Sequence, residues 1–201
     1  MTAARDEILA RIRAVERTPP PEPDRGYRRV GSLSDEAKLE LFAERVADYR
    51  SDVRVVGDVA GAVDSVCSGR IGVPPGLPAE WRPADAEIVE DHGLSARELD
   101  ALKAVVTGCT VAIAETGTIV LSGGEAEGRR ALTLVPDLHV CVVRAKQIVE
   151  LVPEALAAVD PRRPLTLVSG PSATSDIELS RVEGVHGPRT LVVLIVNEEE
   201  A

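Results

Sequence analysis

The chain has 201 residues, enough for one sizeable core and short for two; it is 44% hydrophobic, only 2% aromatic, and carries a formal net charge of -10. The core must therefore come from Val, Leu, Ile and Ala, and the acidic balance with few stacking platforms argues against nucleic-acid binding, which needs a basic surface to neutralise phosphates. Cys67, Cys109 and Cys141 lie far apart in apolar surroundings with no C-x-x-C spacing. They fit buried thiols in a reducing cytoplasm better than a disulfide scaffold, and no cluster-binding motif can be assembled from them.

The first segment, MTAARDEILARIRAVE, has charges throughout and no apolar core, so it is not a secretory signal. No apolar run reaches the roughly 18 residues a membrane helix requires. No membrane contact is expected, and the protein reads as cytoplasmic. Ile8, Ile12 and Val15 recur at i, i+4 and i+7, giving a short amphipathic helix that either packs on its own body or serves as a docking arm. Thr18-Pro19-Pro20-Pro21-Glu22-Pro23 cannot continue a helix and is a stiff linker. Ser34 is placed to cap a second helix over Asp35 to Tyr49, with Phe42, Val46 and Tyr49 as its inward stripe. Residues 1–50 are thus expected to be a helical arm with a Pro-rich linker, and residues 51–201 an α/β domain.

Val53 to Gly57 reads as a first strand and Ala62 to Ser68 as a helix. A loop through Pro74, Pro75, Gly76, Leu77 and Pro78, with Trp81 beside it, is expected to be exposed. Ala86 to Val89 is a second strand. Ser95-Ala96-Arg97-Glu98 is a capping box, which should start a helix carrying Leu99, Leu102, Val105 and Val106 and ending at Gly108. From Gly108 to Leu121 an apolar run is interrupted by Glu115-Thr116-Gly117-Thr118, a polar turn with a glycine able to take φ > 0 between two strands. Glu115 is either a solvated turn residue or a carboxylate presented at a strand end, where open α/β sheets place their ligands.

Ser122 to Arg130 is a Gly and Glu loop ending in Arg129-Arg130, and Leu132 to Val135 and Val140 to Val143 are short strands around Pro136. Pro153 suits the first turn of a helix reaching Val159. Leu165 to Val168 is another strand, Ser175-Asp176-Ile177-Glu178 a second capping box whose helix Gly184 would end, and Leu191 to Val196 a last strand apolar enough for burial on both faces. Strands alternate with helices, so an α/β fold with a largely parallel sheet flanked by helices is expected.

Three polar turns, Glu115 to Thr118, Gly170 to Asp176 and His186 to Arg189, stand at strand ends, and the first two should open at the same edge. Gly170, Ser172 and Thr174 offer N–H groups and hydroxyls for a phosphate or carboxylate, or simply a helix cap, which Asp176 favours. His186, held between Gly184 and Gly187-Pro188, is either a structural hydrogen bonder or a ligand contact. Arg130 and Arg189 either clamp a carboxylate or are solvated. There is no G-x-S-x-G elbow, Walker loop or G-x-G-x-x-G, and His92, His139 and His186 lack metal-ligand spacing.

Ala114-Glu115-Thr116-Gly117-Thr118, Arg130 with Pro136 and His139, the run Gly170 to Glu178, and Gly184 to Arg189 resemble the LUD domain of the lactate utilisation protein C family, at matching spacing over roughly residues 85 to 196. The resemblance implies a fold of the type shared by glucosamine-6-phosphate deaminase, ribose-5-phosphate isomerase and the CoA-transferases. It further implies an accessory subunit supporting oxidation of L-lactate to pyruvate beside partner subunits A and B, one of them carrying iron-sulfur clusters, with no cofactor held by this chain. Glu115-Thr116-Gly117 also resembles the glutamate-x-glycine turn of CoA-transferases, whose glutamate attacks a thioester, so a CoA-transferase-like enzyme with Glu115 as nucleophile is the alternative. Under either expectation Thr116, Gly117, Thr118, Arg130, Gly170, Ser172, Thr174, His186 and Arg189 gather with Glu115 around a small anion: a carboxylate, a phosphate or a CoA-like group.

Overall fold

The computed structural model describes residues 2–15, 22–171, 173–174, 182–184 and 186–197. Its frame is a six-stranded sheet in which every neighbouring pair is parallel. After helices α1 (Thr2–Ala14) and α2 (Asp35–Asp48), the chain enters β1 (Asp52–Val56), α3 (Val59–Val66), β2 (Arg70–Val73), β3 (Glu87–Glu90), the short α4 (Ala96–Asp100) and β4 (Ala104–Thr107). A hairpin of β5 (Val111–Ile113) and β6 (Thr118–Leu121) follows, then β7 (Leu138–Arg144), β8 (Ile148–Val149), α5 (Val152–Ala158) and β9 (Thr166–Val168). A ribbon of β10 (Ala173–Thr174) and β11 (Val182–Glu183) precedes the last strand, β12 (Thr190–Val196).

The large sheet runs β1-β12-β7-β4-β2-β3. Its central strands β7 and β12 are runs of Val, Ile, Leu and Cys because both faces are covered, and alternation divides their side chains between two cores. Cys141, Val143, Val193 and Ile195 face α2 and the second sheet, packing on Phe42, Val46, Ala112 and Ile119. Val140, Val142, Val192 and Leu194 face α3, with Val59, Val63, Leu77 and Trp81. The second sheet, β8-β5-β6-β9, is mixed: β5 and β6 are antiparallel, β8 joins β5 in parallel and β9 lies antiparallel to β6. Its far face packs Val111, Ile113 and Val120 under Ala155 and Val159 of the α5 region.

Local capping signals act as their chemistry requires. Ser34 Oγ accepts from Ala37 N and starts α2 one residue later, and Ser95 with Glu98 forms a reciprocal capping box. Four expectations are corrected. The helix from Ser95 stops at Asp100 instead of Gly108: the β-branched run Val105-Val106-Thr107 enters the sheet between β2 and β7, where all three are fully buried. Leu132 to Val135 turns instead of pairing, because Pro136 and the Arg130 turn keep it off the ladder. The Pro-rich loop is exposed only at its tip, Pro75 and Gly76, since Pro74, Leu77 and Trp81 are buried and the Arg144 guanidinium lies 4.4 Å over the Trp81 ring. Val182–Glu183 is a strand, not the end of a helix, while the capping box at Ser175 lies outside the described residues.

At the N-terminus, Ile8 and Ile12 are 58% and 47% exposed, so the α1 stripe is not packed on the body. The linker from Thr18 to Pro21 lies outside the described residues. Among the described residues no helix is long and apolar enough to cross a membrane.

Candidate functional site

The Glu115 turn is a hairpin tip at the carboxyl end of β5, which pairs in parallel with β8 and antiparallel with β6, so it belongs to the second sheet and not to the large parallel one. Gly117 takes φ 58, and a Cβ there would stand 2.7 Å from the carbonyl carbon of Arg45, so both conformation and space demand glycine. Glu115 N donates to Glu150 O at 3.0 Å, which fixes the strand end. Its half-exposed carboxylate is ion-paired with Arg28, whose other terminal nitrogen lies 3.5 Å from the buried Glu150 carboxylate. Glu150 also accepts from Ser32 N at 2.5 Å and Leu33 N at 2.7 Å, and Glu154 from Gly31 N at 3.0 Å. The backbone N–H of Gly31 foremost, then that of Leu151, holds the Glu154 carboxyl below the ordinary range. Three carboxylates therefore pin the segment ahead of α2 across the second sheet.

A cleft of about 240 Å³ opens elsewhere, at the amino ends of β7 and β12 where the two sheets meet. Its wall includes Arg130 and Thr133, His139 of β7, Ser169-Gly170-Pro171 after β9, His186-Gly187-Pro188 and Leu191 of β12. A second lobe of about 370 Å³, lined by Ser122, Gly123, Gly128 and Arg163, shares Arg130, Thr133 and Thr166 with it. The loop carrying the arginines is shaped by buried Glu127, which accepts from Ser122 N at 2.6 Å, Gly124 N at 3.0 Å and Thr110 Oγ1 at 2.5 Å.

Arg129 and Arg130 have different partners. Arg129 donates to both oxygens of buried Asp91, at 2.7 and 2.9 Å. Burial opposes ionisation of Asp91, but Arg129 and the N–H groups of Leu94 and Gly93 outweigh it and hold the carboxyl below its ordinary value. Arg130 donates only to Thr133 Oγ1 at 3.2 Å and His186 O at 3.3 Å, and has no carboxylate partner among the described residues. Burial lowers its pKa, yet a guanidinium remains charged. His139 is 2% exposed, with Nε2 2.8 Å from Thr107 Oγ1. Burial first, then the positive Arg130, pushes its pKa down to about 4, so the ring is neutral at neutral pH.

Of the residues singled out from sequence, Arg130, Gly170 and His186 line this one cleft. Thr116 and Thr118 stand behind it in a hydroxyl chain: Thr116 Oγ1 to Thr118 Oγ1 and Thr118 Oγ1 to Ser169 Oγ are both 2.8 Å. Those contacts do bring the Glu115 and Gly170 turns to the same edge, but of the second sheet. Glu115 and Gly117 lie outside the cleft lining, and so does Arg189, whose Nε is 3.7 Å from Asp137. Ser172 and the Thr174 side chain lie outside the described residues. Thr107, Thr133 and Ser169 were not anticipated; only the Arg130 to Thr133 spacing of one turn carried a signal. At the carboxyl ends of β7 and β12 a further cleft of about 490 Å³ is lined by Ser34, Asp35, Arg144, Lys146 and Asn197. Among the described residues no group of three His, Cys, Asp or Glu side chains is arranged to hold a metal ion.

A parallel sheet covered by α3 on one face and by α2 with a small mixed sheet on the other, with a cleft holding Arg130 where the sheets meet, defines an α/β protein. The LUD domain model matches residues 79–196. Lactate utilization protein C of Deinococcus radiodurans is 45% identical over 202 aligned positions, 96% of this chain and 95% of that one. The uncharacterized protein YkgG of Escherichia coli is 32% identical over 179, covering 83% and 72%. A crystal structure of a DUF162 family protein from Deinococcus radiodurans superposes with a TM-score of 0.71 at 41% identity, over 82% of this chain and 99% of that one. The chain belongs to the LUD domain family.

Proposed function

We propose that this protein is an accessory subunit of an L-lactate-oxidising system in the cytoplasm, binding a small anion in the Arg130 cleft. It works beside subunits A and B, one of which carries the iron-sulfur clusters that take up the two electrons released when lactate becomes pyruvate. The family, and the name of a relative aligned over nearly the whole chain, support the lactate role. The observation that carries the anion site is the Arg130 guanidinium on the cleft wall, donating to a hydroxyl and a carbonyl but, among the described residues, to no carboxylate. Glu115, by contrast, is engaged by Arg28 outside that cleft, which favours a subunit over a CoA-transferase with Glu115 as nucleophile.

Two measurements test this. Deleting the gene in the host should abolish growth on L-lactate, with restoration by the wild-type chain and poorer restoration by Arg130→Gln; tagged protein should co-purify with subunits A and B. Normal growth of the deletion strain without such association refutes the reading. A hydroxylamine-sensitive glutamyl thioester at Glu115 after incubation with an acyl-CoA would establish the enzyme instead.

A further inference from the structure

We propose that the Arg130 end of the cleft takes a small 2-oxo or 2-hydroxy monocarboxylate, its carboxylate on the Arg130 guanidinium and its 2-oxygen on Nδ1 of His139. The inference rests on the anion-binding reading of this cleft and deepens it to a ligand class.

His139 is the decisive group. Its Nε2 is satisfied by Thr107, but Nδ1 has no partner among the described residues, although the ring is 2% exposed and lines the cleft. Nδ1 is unpartnered yet not closed off from solvent, so it is open on the cleft wall, where a ligand atom can take the place of water. With Thr107 donating to Nε2, the neutral ring carries its proton on Nδ1 and donates to an oxo group. In the other tautomer it donates to Thr107 and accepts from a hydroxyl. Both oxidation states of a 2-oxygenated acid are thereby served without moving the ring.

Charge selects between anions. Phosphate carries up to two negative charges and calls for two cations or several N–H donors, whereas this lobe supplies one guanidinium beside two imidazoles, of which that of His139 is neutral. A monocarboxylate matches one planar fork of N–H donors. Val168, Pro171 and Leu191 leave the short carbon end an apolar wall.

The full-length protein should be titrated calorimetrically with pyruvate, L-lactate, propionate and inorganic phosphate. Propionate keeps the carboxylate and carbon count of the first two but lacks the 2-oxygen. Pyruvate or L-lactate is expected to bind roughly tenfold tighter than propionate, the worth of one hydrogen bond to a buried donor. Of the three histidine ring signals in a proton-carbon NMR spectrum, the one missing from His139→Gln should shift on binding, and Arg130→Gln should weaken binding at least about tenfold. Should His139→Gln not fold, the pyruvate-to-propionate ratio on the wild-type protein decides. Equal affinity for propionate and pyruvate overturns the role of His139. Preference for phosphate overturns the ligand class but leaves an anion site, and silence toward all four ligands overturns both. The growth experiment reads the subunit role separately, so its failure is distinguishable from any of these.

Discussion

Burial of a neutral His139 makes stability depend on pH in a window that few other groups share. In the folded protein its pKa is about 4 against an ordinary 6.5, so between these values the unfolded chain binds a proton that the folded one does not. Stability therefore rises with pH through the window: the contribution is fully present above about pH 6.5 and is lost as pH falls toward about 4. A gap of about two and a half units, at about 1.4 kcal/mol each, amounts to roughly 3 kcal/mol, of which about 2 kcal/mol is lost between pH 6.5 and 5. In that narrower range Asp91 and Glu154, both held below the ordinary carboxylate value, stay ionised and do not interfere. Urea unfolding midpoints should be measured at half-unit steps from pH 7.5 to 5 for the wild type and His139→Gln. The variant starts less stable because it loses the Thr107 hydrogen bond, but its curve should be flatter by about 2 kcal/mol across the range. A variant that loses as much stability as the wild type between pH 6.5 and 5 refutes the reasoning, since the proton is then taken up elsewhere.

Gly117→Ala forces a Cβ into the left-handed region and toward the Arg45 backbone, and should cost about 2 kcal/mol or more in thermal or urea unfolding; a loss under about 0.5 kcal/mol contradicts the packing described. Glu150→Gln removes the charge that accepts from Ser32 and Leu33 and pairs with Arg28, so trypsin should cut sooner at Arg25, Arg28 and Arg29; an unchanged cleavage rate would mean that the segment is held by other contacts.

What sequence showed well was chemistry confined to a few neighbouring residues. The Ser34 cap, the Ser95-Glu98 box, Pro153 in the first turn of α5 and the φ > 0 glycine at position 117 all follow from backbone groups that neighbouring residues can satisfy. The β12 run was legible for a related reason, since a continuous Val, Leu and Ile stretch has no polar face to leave in water. β4 was not legible: Leu99, Leu102, Val105 and Val106 fit a helical stripe, and only the places offered by β2 and β7 decide for a strand. The second sheet was hidden likewise, because Thr166–Val168 has the same pattern whether it pairs in parallel or, as here, antiparallel to β6. At the site, Arg130, Gly170 and His186 stood out as members of polar turns. The pairing of Thr107 with His139 arises from the β4-β7 register, which no local pattern encodes. The bridge from Arg28 to Glu115 spans 87 positions and was invisible for the same reason.

The arrangement of Arg129 and Arg130 shows that position, not charge alone, makes the cleft cationic in a protein of net charge -10. Asp91 neutralises Arg129 through two short bonds, and the backbone oxygen of Leu94 also accepts from the same guanidinium, so this side chain anchors the loop to the start of α4. Its neighbour is thereby turned toward Thr133 and His186. Asp91→Asn separates the two effects. By charge alone the variant should bind a small anion more tightly, because one negative group beside the cleft is gone. By position it should bind more weakly, because Arg129 loses its anchor and Arg130 its orientation, and a misplaced donor contributes little. The positional effect should win: breaking a bidentate pair whose carboxylate side chain is 1% exposed and whose guanidinium side chain is 43% exposed costs about 1 to 2 kcal/mol of stability, still more than the gain from one removed charge screened by solvent. Anion affinity in Asp91→Asn should therefore fall several-fold at temperatures where the variant is still folded. A rise in affinity at low ionic strength, vanishing as salt is added, would show instead that the cleft responds to net charge and that Asp91 does not position Arg130.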